Sequence, residues 1–168
     1  MRIVLLAALP DEYRWAIRRL GFRQVPDTGR PRRFRMTRPD LDCLLLETGM
    51  GHDRALRSLA YACARGRPDL LISFGFAGGL DPLFEVGRVL LGQEFLWWDE
   101  MGRTVALKLA DGSAGGLVAR FCREHRVAPA RLVSVTRIQE KKPLAGRCSD
   151  VPSAVDLESC FVVDQARR

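Results

Sequence analysis

The stretch from Asp69 to Leu80, DLLISFGFAGGL, joins an apolar run to a glycine-punctuated turn. Leu70, Leu71 and Ile72, with no polar alternation, suit a strand buried on both faces. Gly75, Gly78 and Gly79 then let the backbone turn tightly and approach a ligand. The chemistry served by such a segment is close binding of a small molecule; the same pattern also serves as a plain tight connection. Two other places set charged or flexible residues just after an apolar run. Asp11 and Glu12 follow the run that starts at Ile3, and Thr48, Gly49, Met50 and Gly51 follow DCLLLE, Asp42 to Glu47. The five cysteines, Cys43, Cys63, Cys122, Cys148 and Cys160, are scattered and form no C-x-x-C pair. Neither a disulfide framework nor a zinc site is expected from them, and they should be reduced and mostly buried.

Such residues must be presented by regular elements, and the chain reads as alternating strands and helices. Ile3 to Ala8 is a first buried strand. Pro10 at an early helical position, with Asp11 and Glu12 behind it, favours a helix N-terminus. Trp15, Ile17 and Leu20 form that helix's apolar side and Gly21 ends it. Arg30 to Arg38 is an exposed strand and Asp42 to Glu47 a core strand. A helix then runs from His52 to Arg65, with Leu56, Leu59, Ala60 and Cys63 inward and Gly66 as its stop. After the Asp69–Gly75 strand, Val86 to Trp98 forms one long strand or two short ones broken by Gly92, followed by a hairpin-like turn at Gly102. Ser113 to His125 is a surface helix, Leu132 to Thr136 a strand, and Ser153 to Leu157 a strand or loop entering a helix from Glu158. With no repeat, low-complexity segment or linker, this pattern predicts one α/β layered domain over residues 1–168.

At 168 residues, 47% apolar and 28% charged, the chain has the composition of a globular domain with a real core. No apolar stretch approaches the roughly 20 residues of a membrane span. The opening MRIVLLAALPDEYR has too short an apolar run before Asp11 to make a signal peptide, so the expected location is the cytoplasm. The net charge of +7 is local: residues 1–40 hold ten arginines against four acids. Beyond Phe22 and Phe34 the basic cluster lacks interleaved aromatics for base stacking, so a solvated basic face is favoured over nucleic-acid binding.

Four segments, in order, resemble the purine nucleoside phosphorylase and nucleosidase superfamily. The likeness is greatest to its hydrolytic members that cleave methylthioadenosine and S-adenosylhomocysteine, and to hopanoid-associated phosphorylases. IVLLAALPDE at 3–12 resembles the first strand and its acidic loop. ETGMGHDRA at 47–55 resembles the T-G-[IM]-G turn, and ISFGFAGGLDPLFEVGRVLL at 72–91 resembles the central strand, A-G-G-L turn and V-G-D strand. AVDLES at 154–159 resembles V-[DE]-M-E-[SA], and EKKPL at 140–144 resembles a piece that precedes it in some members. The fold implied is a three-layer αβα arrangement around a central mixed, twisted sheet.

The resemblance implies cleavage of an N-glycosidic bond, whose oxocarbenium-like transition state calls for negative charge near the ribose and a poised nucleophile. By similarity Glu158 accepts hydrogen bonds from the ribose hydroxyls, and Glu12 positions or deprotonates the attacking water as general base. The residues themselves leave other readings open: a helix-terminal carboxylate for Glu158, a first-turn glutamate for Glu12 with Asp11 as its rival. Met50, Gly51 and Leu157 would lie along the sugar, or be ordinary core. Phe76, Ala77 and Gly78 would line the ligand, and Ile138, or Arg137, stands where the family presents a base-stacking aromatic. The partner implied is a nucleoside or purine base, with no metal and no cofactor; a sheet lacking the family's last strand would expose an unpaired edge, which favours a homodimer.

Three departures qualify this. Phe76 occupies the place where phosphorylases set a serine or threonine on phosphate; a phenyl ring donates no such bond, which favours hydrolysis. Arg88 replaces the aspartate of V-G-D. The family's further strand, with the acid that handles the leaving base, and its last helix are not within these 168 residues, so turnover is expected to be weak or absent. The alternative is a non-catalytic nucleoside-binding or interaction module. A dinucleotide-binding fold is disfavoured because the glycines form AGGL rather than G-x-G-x-x-G after the first strand.

Overall fold

The computed structural model describes residues 1–26, 29, 31–98, 104–108, 115–137 and 151–167. The chain divides into two compact units, Met1–Phe76 and Ala77–Arg167. Both are built of mixed sheets with helices, as the α/β reading expected.

The first unit contains β1 (Arg2–Ala7), α1 (Pro10–Leu20), β2 (Arg23–Gln24), β3 (Arg32–Arg38), β4 (Leu41–Glu47), α2 (His52–Cys63) and β5 (Leu70–Ser73). Its sheet runs in the order β2-β3-β4-β1-β5. Strand β1 is parallel to both β4 and β5, whereas β3 pairs antiparallel with β4 and β2 with β3. Leu45 and Leu46 are neighbours on β4 and point to opposite faces, yet both are fully buried, so both faces of this sheet are covered. On one face Tyr13 of α1 joins Ala7, Phe22, Phe34, Cys43 and Leu45 in a cluster; α2 also packs against β1.

Helix α1 begins and ends as its sequence dictates. Pro10 opens it, and Gly21, at φ 77°, closes it in a left-handed conformation with its N–H on the Ile17 carbonyl. The inward face differs from the expected Trp15, Ile17 and Leu20. Glu12, Tyr13 and Ala16 are buried, with Ile17 beside them, while Trp15 is 60% and Leu20 41% exposed. A face recurs every three to four residues, and the Tyr13 ring on Phe34, 5.3 Å between centroids, sets which stripe turns inward. Trp15 is left outside among Arg14, Arg18 and Arg19. In α2 the buried residues are Ala55, Ser58, Leu59 and Ala62, so the inward stripe is displaced from Ala60 and Cys63. Strand β5, expected to be buried on both faces, has Ile72 at 38% exposure and Ser73 exposed. It is the last strand of its sheet, with β1 on one side only.

The second unit contains β6 (Gly78–Gly79), β7 (Leu90–Trp98), β8 (Thr104–Lys108), α3 (Gly115–His125), β9 (Ala128–Val135), β10 (Ser153–Asp156) and α4 (Ser159–Arg167). The order is β6-β10-β9-β7-β8, with β10-β9 and β9-β7 parallel and the outer pairs antiparallel. Val86 to Val89 stays outside the strands, and Gly92 does not split β7: it sits at a bulge, after which Glu94 faces Arg131. Val133 and Val135 centre a core joined by Leu80, Leu96, Trp98, Val155 and Leu157. Trp97 meets Phe161 of α4 edge-on at 5.3 Å. The turn expected at Gly102 lies outside the described residues; β7 and β8 pair antiparallel, with Trp98 opposite Thr104. Cys43 and Cys160 are buried, Cys122 partly so and Cys63 exposed, all four free; Cys148 lies outside the described residues.

Candidate functional site

Three parallel strands of the first unit deliver their carboxyl ends to one place, where open α/β sheets receive ligands. Strand β1 ends at Ala7, and the Glu47 end of β4 is tied to it: the Thr48 N–H donates to the Ala7 carbonyl at 2.8 Å and the Gly49 N–H to Ala8 at 3.1 Å. The chain after β5 is tied from the other side, the Phe74 N–H donating to Leu6 at 3.0 Å. The loops bearing Glu12, Gly49 to Gly51 and Phe76 therefore leave from adjacent strands.

Glu12 sits at the centre of this gathering and is 8% exposed. Its Oε2 accepts the N–H groups of Ala8 at 2.7 Å and Leu9 at 2.9 Å, and its Oε1 accepts that of Phe76 at 3.0 Å. The Leu9 bond is the return half of a capping box, a glutamate three residues into the helix bonding back to the residue before it. The Phe76 bond spans 64 residues and has no part in capping. A carboxylate offers about four acceptor positions; among the described residues three are filled, which leaves the fourth, on Oε1, for a donor such as water. Gly75 makes this possible, since a Cβ there would lie 2.6 Å from Oε1.

Around Glu12, Met50 is half exposed, Phe76 is 71% exposed, and Gly51 takes φ 97°, a conformation suited to glycine. Arg54 is a residue the sequence reading passed over. Its side chain lies over the Gly49 turn, so close that a Cβ on Gly49 would meet its Cδ at 3.0 Å. The signal lay in the motif itself, whose G-H-D-R-A end carries Arg54. Below the loops, the buried Tyr13 hydroxyl donates to the Glu47 carboxylate, which also faces Arg32 at 3.6 Å. Burial first, and then that carboxylate, holds the Tyr13 phenol far above its ordinary value.

The second unit carries the other candidate residues. Gly78 and Gly79 are not part of an open turn: they form β6 and pair antiparallel with Val155 and Ala154. This sets them beside β10, whose end leads through Leu157 and Glu158 into α4. Leu157 packs with Val133 and Val135, and Glu158 is half-buried. Ala77 is exposed. Ile138 and the EKKPL segment lie outside the described residues, while Arg137 is exposed just beyond β9. At the head of α4, Asp156 Oδ2 accepts the Ser159 N–H at 3.0 Å, and the buried Ser134 hydroxyl donates to Asp156 Oδ1 at 2.6 Å while accepting the Cys160 N–H at 2.9 Å. Burial, with Asp156 and Asp164 nearby, pushes the Cys160 thiol up to about 11. Among the described residues no three His, Cys, Asp or Glu side chains are grouped to hold a metal ion, and no helix is long and apolar enough to cross a membrane.

The α/β frame is the fold class the motifs implied. The sequence profile of the phosphorylase superfamily matches residues 2–144, and the chain belongs to that superfamily, as its resemblance to nucleoside phosphorylases and nucleosidases indicated. It is 25% identical over 140 residues to a 5′-methylthioadenosine/S-adenosylhomocysteine nucleosidase of Anoxybacillus flavithermus, covering 83% of this chain and 60% of that protein. It is 29% identical over 113 residues to the Marinomonas nucleosidase of the same name, covering 62% of this chain and 46% of the relative. The chain thus spans about half to three fifths of the length of these curated relatives. In fold it matches the Neisseria meningitidis nucleosidase solved with methylthio-immucillin-A, with a TM-score of 0.82 and 20% identity over 99% of this chain and 79% of that one. The futalosine hydrolase of Helicobacter pylori superposes equally well, with a TM-score of 0.83 and 15% identity over 99% and 78% of the two chains.

Proposed function

We propose that this chain cleaves the N-glycosidic bond of a purine nucleoside by hydrolysis. The observation that carries the reading is the Glu12 carboxylate, fixed by three backbone N–H groups at the ends of parallel strands with one acceptor position left. In that position a water is oriented for attack on C1′ of the sugar. As the C–N bond breaks, its electrons leave with the base and the water proton passes to Glu12. Glu158 holds the ribose hydroxyls, and its charge favours the oxocarbenium-like state; Met50, Gly51 and Leu157 lie along the sugar. Phe76, Ala77 and Gly78 flank the base. Phe76 supplies no hydroxyl for phosphate, in keeping with relatives named nucleosidases and hydrolases. The reading extends to a cytoplasmic homodimer working without a cofactor.

The test is release of free base, followed by chromatography, from 5′-methylthioadenosine, S-adenosylhomocysteine, futalosine, adenosine and inosine, with and without added phosphate. Base release from one of them, unaccelerated by phosphate, is expected; phosphate-dependent release with sugar phosphate as product would overturn hydrolysis. In an active preparation Glu158→Gln should lower turnover by about 30- to 1,000-fold, since loss of one such electrostatic contact costs about 2–4 kcal/mol of barrier.

A second reading, a non-catalytic nucleoside binder, is favoured by the same carboxylate, because three N–H bonds also make Glu12 a mechanical clasp between two loops. Binding of nucleosides without release of base would select it.

A further inference from the structure

We infer that Ser134 and Asp156 are positioning residues that hold Glu158 where the ribose hydroxyls are bound. The inference rests on the ribose-binding role proposed for Glu158 and adds the device that fixes it.

Asp156 and Ser134 lie directly opposite each other where β10 pairs with β9. Asp156 is the last residue of β10, and only Leu157 and Glu158 separate it from α4. Both ends of that two-residue span are anchored by the same pair of side chains. Asp156 Oδ2 takes the Ser159 N–H, and Ser134 Oγ takes the Cys160 N–H while giving its own proton to Asp156 Oδ1. The Val162 N–H donates to the Glu158 carbonyl at 3.1 Å, so helical bonding starts at Glu158 itself. Two N–H groups of the first turn, which have no partner within a helix, are thereby satisfied from β9 and β10. Leu157 fixes the span from its own side by packing on Val133 and Val135.

Ser134 is wholly buried and Asp156 is partly so. A water cannot readily take over the Ser134 position, and Ser134→Ala leaves both the Cys160 N–H and Asp156 Oδ1 without that partner. The first turn of α4 then loses one of its two anchors. The Glu158 side chain is the group that suffers, because a bidentate contact to two hydroxyls tolerates little displacement. Asp156→Asn retains an acceptor for Ser159 and an amide N–H for the Ser134 oxygen, so it should preserve the device where Asp156→Ala destroys it.

A purely structural cap would affect stability alone, so the decisive readout is discrimination among ligands. The probes are 7-deazaadenosine and its 2′-deoxy and 3′-deoxy counterparts, which resist cleavage because N7 cannot be protonated, together with free adenine. Their affinities are measured by calorimetry on the full chain. The original protein should prefer the ribonucleoside to each deoxy form by roughly tenfold or more. In Ser134→Ala and Asp156→Ala that ratio should fall towards one while adenine binding stays within about twofold; Asp156→Asn should restore it. An unchanged ratio in both folded alanine variants overturns the inference. If the original protein shows no preference and Glu158→Gln changes nothing, it is the ribose role of Glu158 that falls. Should neither alanine variant fold, amide hydrogen exchange of the original protein decides. 7-Deazaadenosine should slow exchange at Ser159 and Cys160 several-fold more than its 2′-deoxy form does, and equal effects would overturn the inference.

Discussion

A carboxylate that accepts three backbone N–H groups is both a structural joint and a reactive group held still, and Glu12 is in that position. The two roles share a requirement, that nothing crowd Oε1. Gly75 meets it by having no side chain. In Gly75→Ala the new methyl would stand 2.6 Å from Oε1 and 2.9 Å from Cδ, closer than any stable contact allows. Either the carboxylate swings away, losing its bond to Phe76, or the β5 end shifts. The expected cost is about 1–3 kcal/mol of stability, read by urea unfolding, with base release falling by more than the folded fraction does. A variant as stable and active as the original would show that Glu12 has room to move.

At the scale of elements, sheets and helices decide which cysteines and tyrosines lose water. Cys43 lies in the core beneath α1, and burial, with Asp42 next to it, pushes its thiol up to about 11; Cys160 in α4 is raised to about the same value. Both are raised from an ordinary value of 9.0, so between pH 9 and about 11 the folded chain keeps protons that the unfolded chain has released. Their contribution is whole below pH 9 and drains away as pH climbs through 11, on the order of 2 kcal/mol per thiol. Urea midpoints should decline across that window, and a Cys43→Ala, Cys160→Ala double variant should decline less steeply. A parallel decline in both proteins would assign the loss to other groups. Gly92 shows how a strand accommodates its own packing: a Cβ there would lie 2.7 Å from Leu132 Cδ1 and 2.8 Å from the Phe95 ring, so the bulge is where β7 lets those side chains pass.

For the whole molecule, the proposed homodimer is a question of mass. Equilibrium sedimentation should give twice 18.9 kDa at micromolar concentration, and a single-chain mass there would remove the dimer from the proposal. The basic excess of residues 1–40 is carried in part by the outer face of α1, where Arg14, Arg18 and Arg19 surround the exposed Trp15.

The order of strands and helices was legible in the sequence because apolar runs, proline and glycine act locally. Pro10 and Gly21 bracket α1 at the expected residues, and the motifs at 3–12, 47–55, 72–91 and 154–159 were enough to indicate the superfamily. Helix faces were less legible, because a stripe in a short helix can turn by one residue without breaking its period, and it is tertiary contact with Phe34, the surrounding core cluster and Glu47 that puts Tyr13 rather than Trp15 inside. The glycines of GFAGGL, 75–80, look alike in sequence, yet pairing with β10 makes Gly78 and Gly79 a strand while Gly75 makes room for a carboxylate. The motifs grouped Glu12 and Phe76 around one ligand, but the particular hydrogen bonds of long sequence separation were beyond reach. Glu12 meeting the Phe76 N–H and Ser134 meeting Asp156 depend on which strands lie side by side, and strand order is settled by the burial of whole faces. The sequence alone determined which residue types were available to do chemistry, and the tertiary structure decided which backbone groups hold them still.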